Sequence, residues 1–358
     1  MVQTKMKSAV DVVTEAGGVL HIVPAFGDED ILVPPPNAPH ALALQLLRTP
    51  TDPTTVARTV IAKHPAVVAG DLIGFIDDLR DAGLLVDIPA STTLSDSDLQ
   101  RYDRQLAFFE TVSTETRNSH DAQERIQCAT VAIIGVGGVG ALVGTLLAAA
   151  GIGTLALADG DTVSLSNLNR QILFNEADIG LPKVTTAAAK FCALNGSVSS
   201  RSLNQHLRGP DDVTRFIRGS NIVCLAGDEP VDKLPGWVSD ACGELGIPFI
   251  TMSNVPETVR VGPLFVPGLT SCWHCYQDHL TVKYPTLQDH LRQIAAVDST
   301  AAATGWTCSV VAGLVVAEII SYLIGDSNHT SGTEVFVDTK QFRIETSDIA
   351  AQLCSHWR

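Results

Sequence analysis

Short apolar runs, cut by Gly, Pro and Asp, fill the first ninety residues. Val19–Val23 and Ile31–Val33 predict two short strands around the turn-forming pair Gly27-Asp28. Leu42–Leu47 fits a helix beginning after Pro39, and Thr54–Lys63 fits a second, entered through Thr51-Asp52-Pro53 with Pro in the first turn. Leu72, Phe75, Ile76, Leu79 and Leu84 recur at helical spacing, and Leu84–Val86 predicts a closing strand. Strands with three short helices predict a winged-helix-like domain over 1–90. Residues 91–128 read as a polar connector with a helical segment from Leu99 to Thr111.

The pattern changes in 129–358. Apolar strands at Val131–Ile134, Leu155–Ala158, Ile222–Leu225 and Pro248–Ile250 alternate with helical stretches, the first at Ala141–Ala150. That alternation predicts an α/β domain with a doubly wound, Rossmann-like, mostly parallel sheet. The longest apolar stretch, Cys308–Ile324, contains Glu318 and Ser321, so it reads as a buried helix and no membrane segment is expected.

Charge narrows the partners. The 358 residues carry 24 Lys and Arg against 39 Asp and Glu, a net of −15. Nucleic-acid binding demands clustered cations, so none is expected, even for the winged-helix-like domain. A peptide laid along an exposed strand edge suits that domain better. Eight cysteines in a chain of this length do not make a disulfide scaffold, and the polar N-terminus does not read as an export signal; a cytoplasmic location is expected.

Gly135-Val136-Gly137-Gly138-Val139-Gly140 follows the strand Val131–Ile134 and opens a helix. The first Gly permits a tight turn, Gly137 and Gly138 let backbone approach phosphate, and Gly140 allows close helix packing. Asp159 ends the next strand, placed to accept from ribose hydroxyls, with Asp161 just beyond it. Alone, this pattern fits an NAD dehydrogenase as well. The run Ser166-Asn167-Leu168-Asn169-Arg170-Gln171, then Lys183, points instead to a triphosphate. Arg170 and Lys183 can neutralise phosphate charge, and Asn167 and Gln171 can hold the phosphates and the loop. Asp228, just past Ile222–Leu225, can hold Mg²⁺ against the phosphates.

With Arg101-Tyr102-Asp103-Arg104-Gln105, these motifs make the chain from about Leu99 to Cys354 resemble the ubiquitin-activating superfamily, which includes the adenylyltransferases of thiamin and molybdopterin biosynthesis. The resemblance implies ATP as the nucleotide, with CTP the alternative, and adenylation with release of pyrophosphate. It also implies a homodimer in which Arg104 reaches the partner's active site. Within the family the chain is most similar to the microcin C type, in which an N-terminal domain clamps a ribosomally made precursor peptide. That implies a carboxyl or C-terminal carboxamide of such a peptide as the acceptor. A non-catalytic leader-peptide presenter and a sulfur-carrier-activating enzyme are the alternatives.

Cys272-x-x-Cys275 is half of a zinc clasp, or a redox pair, or chance. The family resemblance implies a second half near the C-terminus, where Cys354 is followed by His356 and by Trp357 in place of a final Cys. Cys272, Cys275, Cys354 and His356 are therefore the expected ligands of a structural zinc. The stretch Asp298–Gly305, where thiol-transferring relatives carry a nucleophile, holds no Cys; Cys308 reads as a packing residue, and Cys128, Cys192, Cys224 and Cys242 as core residues.

Overall fold

The computed structural model describes residues 3–14, 20–23, 31–33, 38–89, 92–112, 118–255, 258–286, 302–349, 354 and 356–357. It divides into two compact units, Met1–Arg125 and Ile126–Arg358.

The first unit begins with strands β1 (Gln3–Met6), β2 (Asp11–Thr14), β3 (Leu20–Val23) and β4 (Ile31–Val33). Helices α1 (Ala38–Leu46), α2 (Pro53–Lys63) and α3 (Ala69–Asp81) follow, then β5 (Leu85–Ile88). Strands β2, β3 and β4 form an antiparallel sheet, while β1 pairs antiparallel with β5. Helix α2 starts where Asp52 accepts from the N–H groups of Thr54 and Thr55, with Pro53 filling the first position. The helices bury Leu44, Leu47, Val56, Val60, Leu72, Ile76 and Leu79 against Met6 and Leu85. The three helices and closing strand fall where the hydrophobic pattern put them; Val19 and the expected Gly27-Asp28 turn lie outside the described residues. Strands β1 and β2 were not expected from so polar an N-terminus.

The connector folds as α4 (Asp96–Arg101), α5 (Asp103–Thr111) and α6 (Ser119–Cys128), the last crossing the division between units. Ser95 and Asp98 form a capping box at α4, and Leu94, Tyr102 and Leu106 make a small core.

The second unit is built on β6 (Thr130–Ile134), α7 (Gly138–Ala149), β7 (Thr154–Ala158), α8 (Lys183–Leu194), β8 (Ser199–Leu203), α9 (Pro210–Ile217), β9 (Ile222–Leu225) and α10 (Leu234–Leu245). It continues with β10 (Phe249–Val255), β11 (Thr258–Phe265), α11 (Trp273–Lys283), α12 (Gly305–Ile324), β12 (Thr333–Asp338) and β13 (Arg343–Asp348). The eight strands run in the order β13-β12-β11-β10-β9-β6-β7-β8, parallel from β10 to β8 and antiparallel from β10 to β13. The doubly wound expectation holds, with an antiparallel extension the strand pattern did not show. Helix α12 is long and apolar enough to cross a membrane. It instead packs on α7, β10 and β11, and its Glu318 is buried, accepting from the backbone N–H groups of His329 and Thr330.

Candidate active site

The carboxyl ends of β6, β7, β8 and β9 open into one cleft. Its walls include Gly135, Asp159, Asp161, Gln205, His206, Leu207, Gly227, Asp228 and Glu229. Gly135 makes the turn out of β6 at φ +90°, and a Cβ there would stand 2.4 Å from the backbone nitrogen of Gly227. The glycine loop and the loop bearing Asp228 thus lie back to back, closer than any side chain allows. Gly140 packs equally close, its Cα against the Gly135 carbonyl. Gly137, the N-cap of α7, has open space above it: the nearest atom to a Cβ would be Gln171 Nε2 at 4.0 Å. Free N–H groups at this helix start suit phosphate.

Asp159 is already engaged. Its carboxylate accepts from Val136 N at 2.7 Å and Asp161 N at 2.8 Å, which locks the glycine loop to the end of β7. Each oxygen keeps lone pairs for a ribose hydroxyl. Lys183, buried at the start of α8, donates to Asp161 at 2.7 Å. His206 Nε2 lies 3.6 Å from the same carboxylate, and its ring covers Gly160. Asp228 is exposed at the cleft, without an ion pair among the described residues.

Asn167 caps its own turn, accepting from Ser164 N at 3.1 Å, so its observed role is to shape the loop. Arg170 donates to the Ser166 carbonyl and to Asn169, and its Cγ lies 3.4 Å from where a Gly138 Cβ would stand. Gln171 is 2% exposed, and its Oε1 has no partner among the described residues. Cys308, in the first turn of α12, would touch a Gly138 Cβ at 2.7 Å. Burial raises its thiol above the ordinary range, against Asn254 and Arg170, which lower it. Kept protonated, it is a poor nucleophile. Residues 298–301, part of the stretch searched for a thiol, lie outside the described residues.

Of the residues expected to act together, the fold gathers Gly135, Gly137, Gly138, Gly140, Asp159, Asp161, Asn167, Arg170, Gln171, Lys183 and Asp228 around one sheet edge. Arg104 belongs to the other unit, its side chain 96% exposed. Gln205, His206 and Leu207 escaped sequence reading because the strand before them, Ser199–Leu203, is polar on both faces.

A second cluster joins Cys272, Cys275, Cys354 and His356, whose ligand atoms all lie within 4.8 Å of one another. Both thiols of the Cys272/Cys275 pair stand 3.4 Å from His356 Nδ1. A tetrahedral zinc with bonds of about 2.3 Å to sulfur and 2.0–2.1 Å to nitrogen needs a sulfur–nitrogen distance of about 3.5 Å. Three thiols and one imidazole at these separations fit that ion. Trp357 departs from the family's fourth Cys because it is structural: Nε1 donates to the Ser239 carbonyl at 3.0 Å and the ring lies on Gly243. Two other cysteine readings are corrected. Cys224 and Cys242 are buried, but Cys128 and Cys192 are exposed, one at the end of α6 and the other on the outer side of α8.

Comparison with known proteins places this geometry. The sulfur carrier protein ThiS adenylyltransferase of Escherichia coli is 31% identical over 232 residues, 65% of this chain and 84% of that protein. Among solved structures, PaaA superposes with a TM-score of 0.75 at 24% identity, covering 96% of this chain and 99% of that one. E. coli MccB, solved with ATP, gives 0.76 at 21% identity, covering 99% and 100%. MccB solved with AMPCPP and MccA gives 0.75, with the same identity and coverage. At these identities the structures share the fold. Residues 102–356 match the ThiF family, so the chain belongs to that family and is a nucleotidyltransferase.

Proposed function

We propose that the protein adenylates a carboxyl or carboxamide group of a ribosomally made peptide, using ATP and releasing pyrophosphate. The observation that carries this is the gathering of the glycine loop, Lys183, Arg170, Gln171 and Asp228 at one sheet edge. The acceptor, a carboxylate oxygen or a carboxamide nitrogen that gives up one N–H proton to solvent, attacks the α-phosphorus, and the bond from that phosphorus to the oxygen bridging to the β-phosphate breaks. The protein's part is positioning and charge neutralisation. The N–H groups of α7 hold phosphate, Asp159 orients the ribose, and Lys183 turns from Asp161 toward the phosphates. Asp228, facing the cleft with no ion pair among the described residues, would hold Mg²⁺, which would supply charge to offset that of the leaving pyrophosphate. Arg104, almost fully solvated, completes the site of a second copy in a homodimer. The first unit grips the peptide, and the zinc cluster has a structural role. The reaction takes place in the cytoplasm, where ribosomal peptides and ATP meet.

Pyrophosphate exchange tests this with a candidate precursor peptide taken from any short reading frame found beside the gene. Peptide-dependent exchange, lost in Asp228→Ala, is expected. Exchange at full rate in Asp228→Ala removes the metal assignment, and binding without exchange makes the protein a leader-peptide presenter. Sulfur-carrier activation is the second reading, favoured by the match to the ThiS adenylyltransferase along most of its length. Exchange supported by a sulfur carrier protein instead of a peptide would select it. For the dimer, mixing inactive Arg104→Ala and Lys183→Ala chains should restore activity through one intact composite site; no restoration refutes trans action.

A further inference from the structure

Strand β8 ends the sheet: among the described residues no strand pairs beyond it. On its inner side it meets β7, where Ser199 N–H donates to Gly153 and the Leu203 carbonyl accepts from Asp159. Backbone direction alternates along a strand, so Ser200 and Ser202 turn their N–H and C=O groups to the free edge. Such an edge is a template for a further strand, and a solvated cation is a common guard against one. Arg201 is placed differently from a guard. Its guanidinium lies over the Phe216 ring, 5.4 Å from the centroid, and lines a cavity of about 240 Å³ between β8 and α9. It reaches the Arg218 carbonyl and Ser220 Oγ, both at 3.4 Å, and forms no ion pair among the described residues. Desolvation lowers its pKa, with no carboxylate to offset the loss. Arg215 lines the same cavity. Its neighbour Asp212 stands 3.7 Å away and is also engaged by the Arg208 N–H.

We propose that the β8 edge is a docking groove for an extended acidic peptide segment, which adds as a strand along residues 200–202 and seats one carboxylate between Arg201 and Arg215. A strand added there puts every second side chain on the α9 side, where the cavity opens. At about 240 Å³ the cavity is below the usual size for a whole nucleotide and suits a single carboxylate side chain. A free anion would satisfy the two arginines and leave the edge amides bare, whereas an acidic strand uses both features. Charge complementarity is local. The whole chain, at a net of −15, repels such a segment, but residues 199–220 carry four arginines against two aspartates. Gln205 lines both this cavity and the nucleotide cleft, so one end of a docked segment lies beside the cleft.

Fluorescence anisotropy with the full chain tests this, using a labelled synthetic heptapeptide that alternates Glu with Val. Saturable binding is expected, at least tenfold weaker when Gln replaces each Glu. A backbone N-methylated version keeps the carboxylates but loses the strand hydrogen bonds, and it should also bind at least tenfold more weakly. Arg201→Gln should weaken the Glu peptide about tenfold, the scale of one lost charge-assisted hydrogen bond, while keeping the ATP-induced thermal shift that reports an intact fold. Arg215→Gln, at an exposed side chain, is a second variant expected to act in the same direction. Failure of the Glu peptide to bind, equal binding of the N-methylated peptide, or unchanged affinity in both arginine variants overturns the proposal. Displacement of the peptide by equimolar inorganic phosphate means a small-anion pocket only, and overturns it as well. These measurements need no turnover, so their failure leaves the adenylation reading standing.

Discussion

Two neighbouring glycines should respond to alanine in opposite ways. Gly135 turns at φ +90°, and a Cβ there meets the Gly227 backbone at 2.4 Å. The left-handed backbone costs an L residue about 1–2 kcal/mol. Forcing apart two packed backbone segments costs about 1–3 kcal/mol more. Gly135→Ala should therefore lose about 2–5 kcal/mol. At roughly 2–4 °C per kcal/mol for a domain of 150–250 residues, melting of the second unit should fall by about 4–20 °C. Gly137 has φ −84°, and a Cβ added there would meet no atom nearer than 4.0 Å. Gly137→Ala should keep stability within about 1 kcal/mol, the range of an N-cap change. Its methyl group, however, stands where phosphate must approach the helix start, so KM for ATP should rise tenfold or more. Thermal melts followed by circular dichroism, paired with pyrophosphate exchange, separate the two effects. Equal melting temperatures for the two variants, or a normal ATP KM in Gly137→Ala, would refute this account of the loop.

Other perturbations follow from the same geometry. Lys183→Met should lower kcat by a hundredfold or more, the scale of losing one preorganised charge donor. Its stability should change by about 1 kcal/mol or less, because the half-exposed Asp161 can be solvated; a kcat near wild type would sink the assignment. Purified protein should carry one zinc per chain, and Cys272→Ser should lower both zinc content and melting temperature; zinc well below one per chain in the wild type removes the cluster as a metal site. Burial lowers the pKa of His120 below its usual 6.5, outweighing the neighbouring Glu124, Asp121 and Glu110, which raise it, while Lys5 lowers it further. The unfolded chain then binds the extra proton first, so His120 favours folding fully above pH 6.5 and loses that contribution as pH falls. His120→Gln should flatten the stability of the first unit below pH 6.5, measured by urea titration; an unchanged slope would exclude His120 as the cause.

Residues that act through backbone geometry were legible in the sequence. The glycine loop could be placed because its spacing has one structural use, a turn from strand into helix against phosphate. The run from Ser166 to Gln171 could be placed because it follows the acidic end of β7. What stayed hidden depends on polar edges and on packing between distant segments. Strand β8 carries Ser-Ser-Arg-Ser-Leu, so no apolar period announced it, and His206 behind it went unseen. Asn254 and Cys308 are 54 residues apart, and only α12 lying on β10 brings them together. Trp357 looked like a lost zinc ligand, yet its indole donates to the Ser239 carbonyl on α10, a packing role that no local sequence pattern announces.

The charge in the cleft also discriminates between nucleotide use and mere retention of the fold. Four carboxylates, those of Asp159, Asp161, Asp228 and Glu229, line the space that a polyanion must enter. Coulomb repulsion between like charges at about 4 Å is several kcal/mol at a protein surface, so an acidic pocket would expel a triphosphate unless each charge had a task. Two are compensated within the protein: Asp159 by two backbone N–H groups and Asp161 by Lys183. Asp228 and Glu229 have no ion pair among the described residues. A divalent cation between them and the phosphates would turn that repulsion into attraction, and Lys183 can leave Asp161 for the phosphates because that half-exposed carboxylate can be solvated. Triphosphate affinity should therefore require Mg²⁺, whereas AMP, with a single phosphate and less charge to offset, should bind almost equally well with the metal chelated. Calorimetric titration with each nucleotide, with and without EDTA, separates the cases. Tight ATP binding in EDTA would mean that Asp228 and Glu229 serve no metal, and that the cleft keeps its acids for another reason.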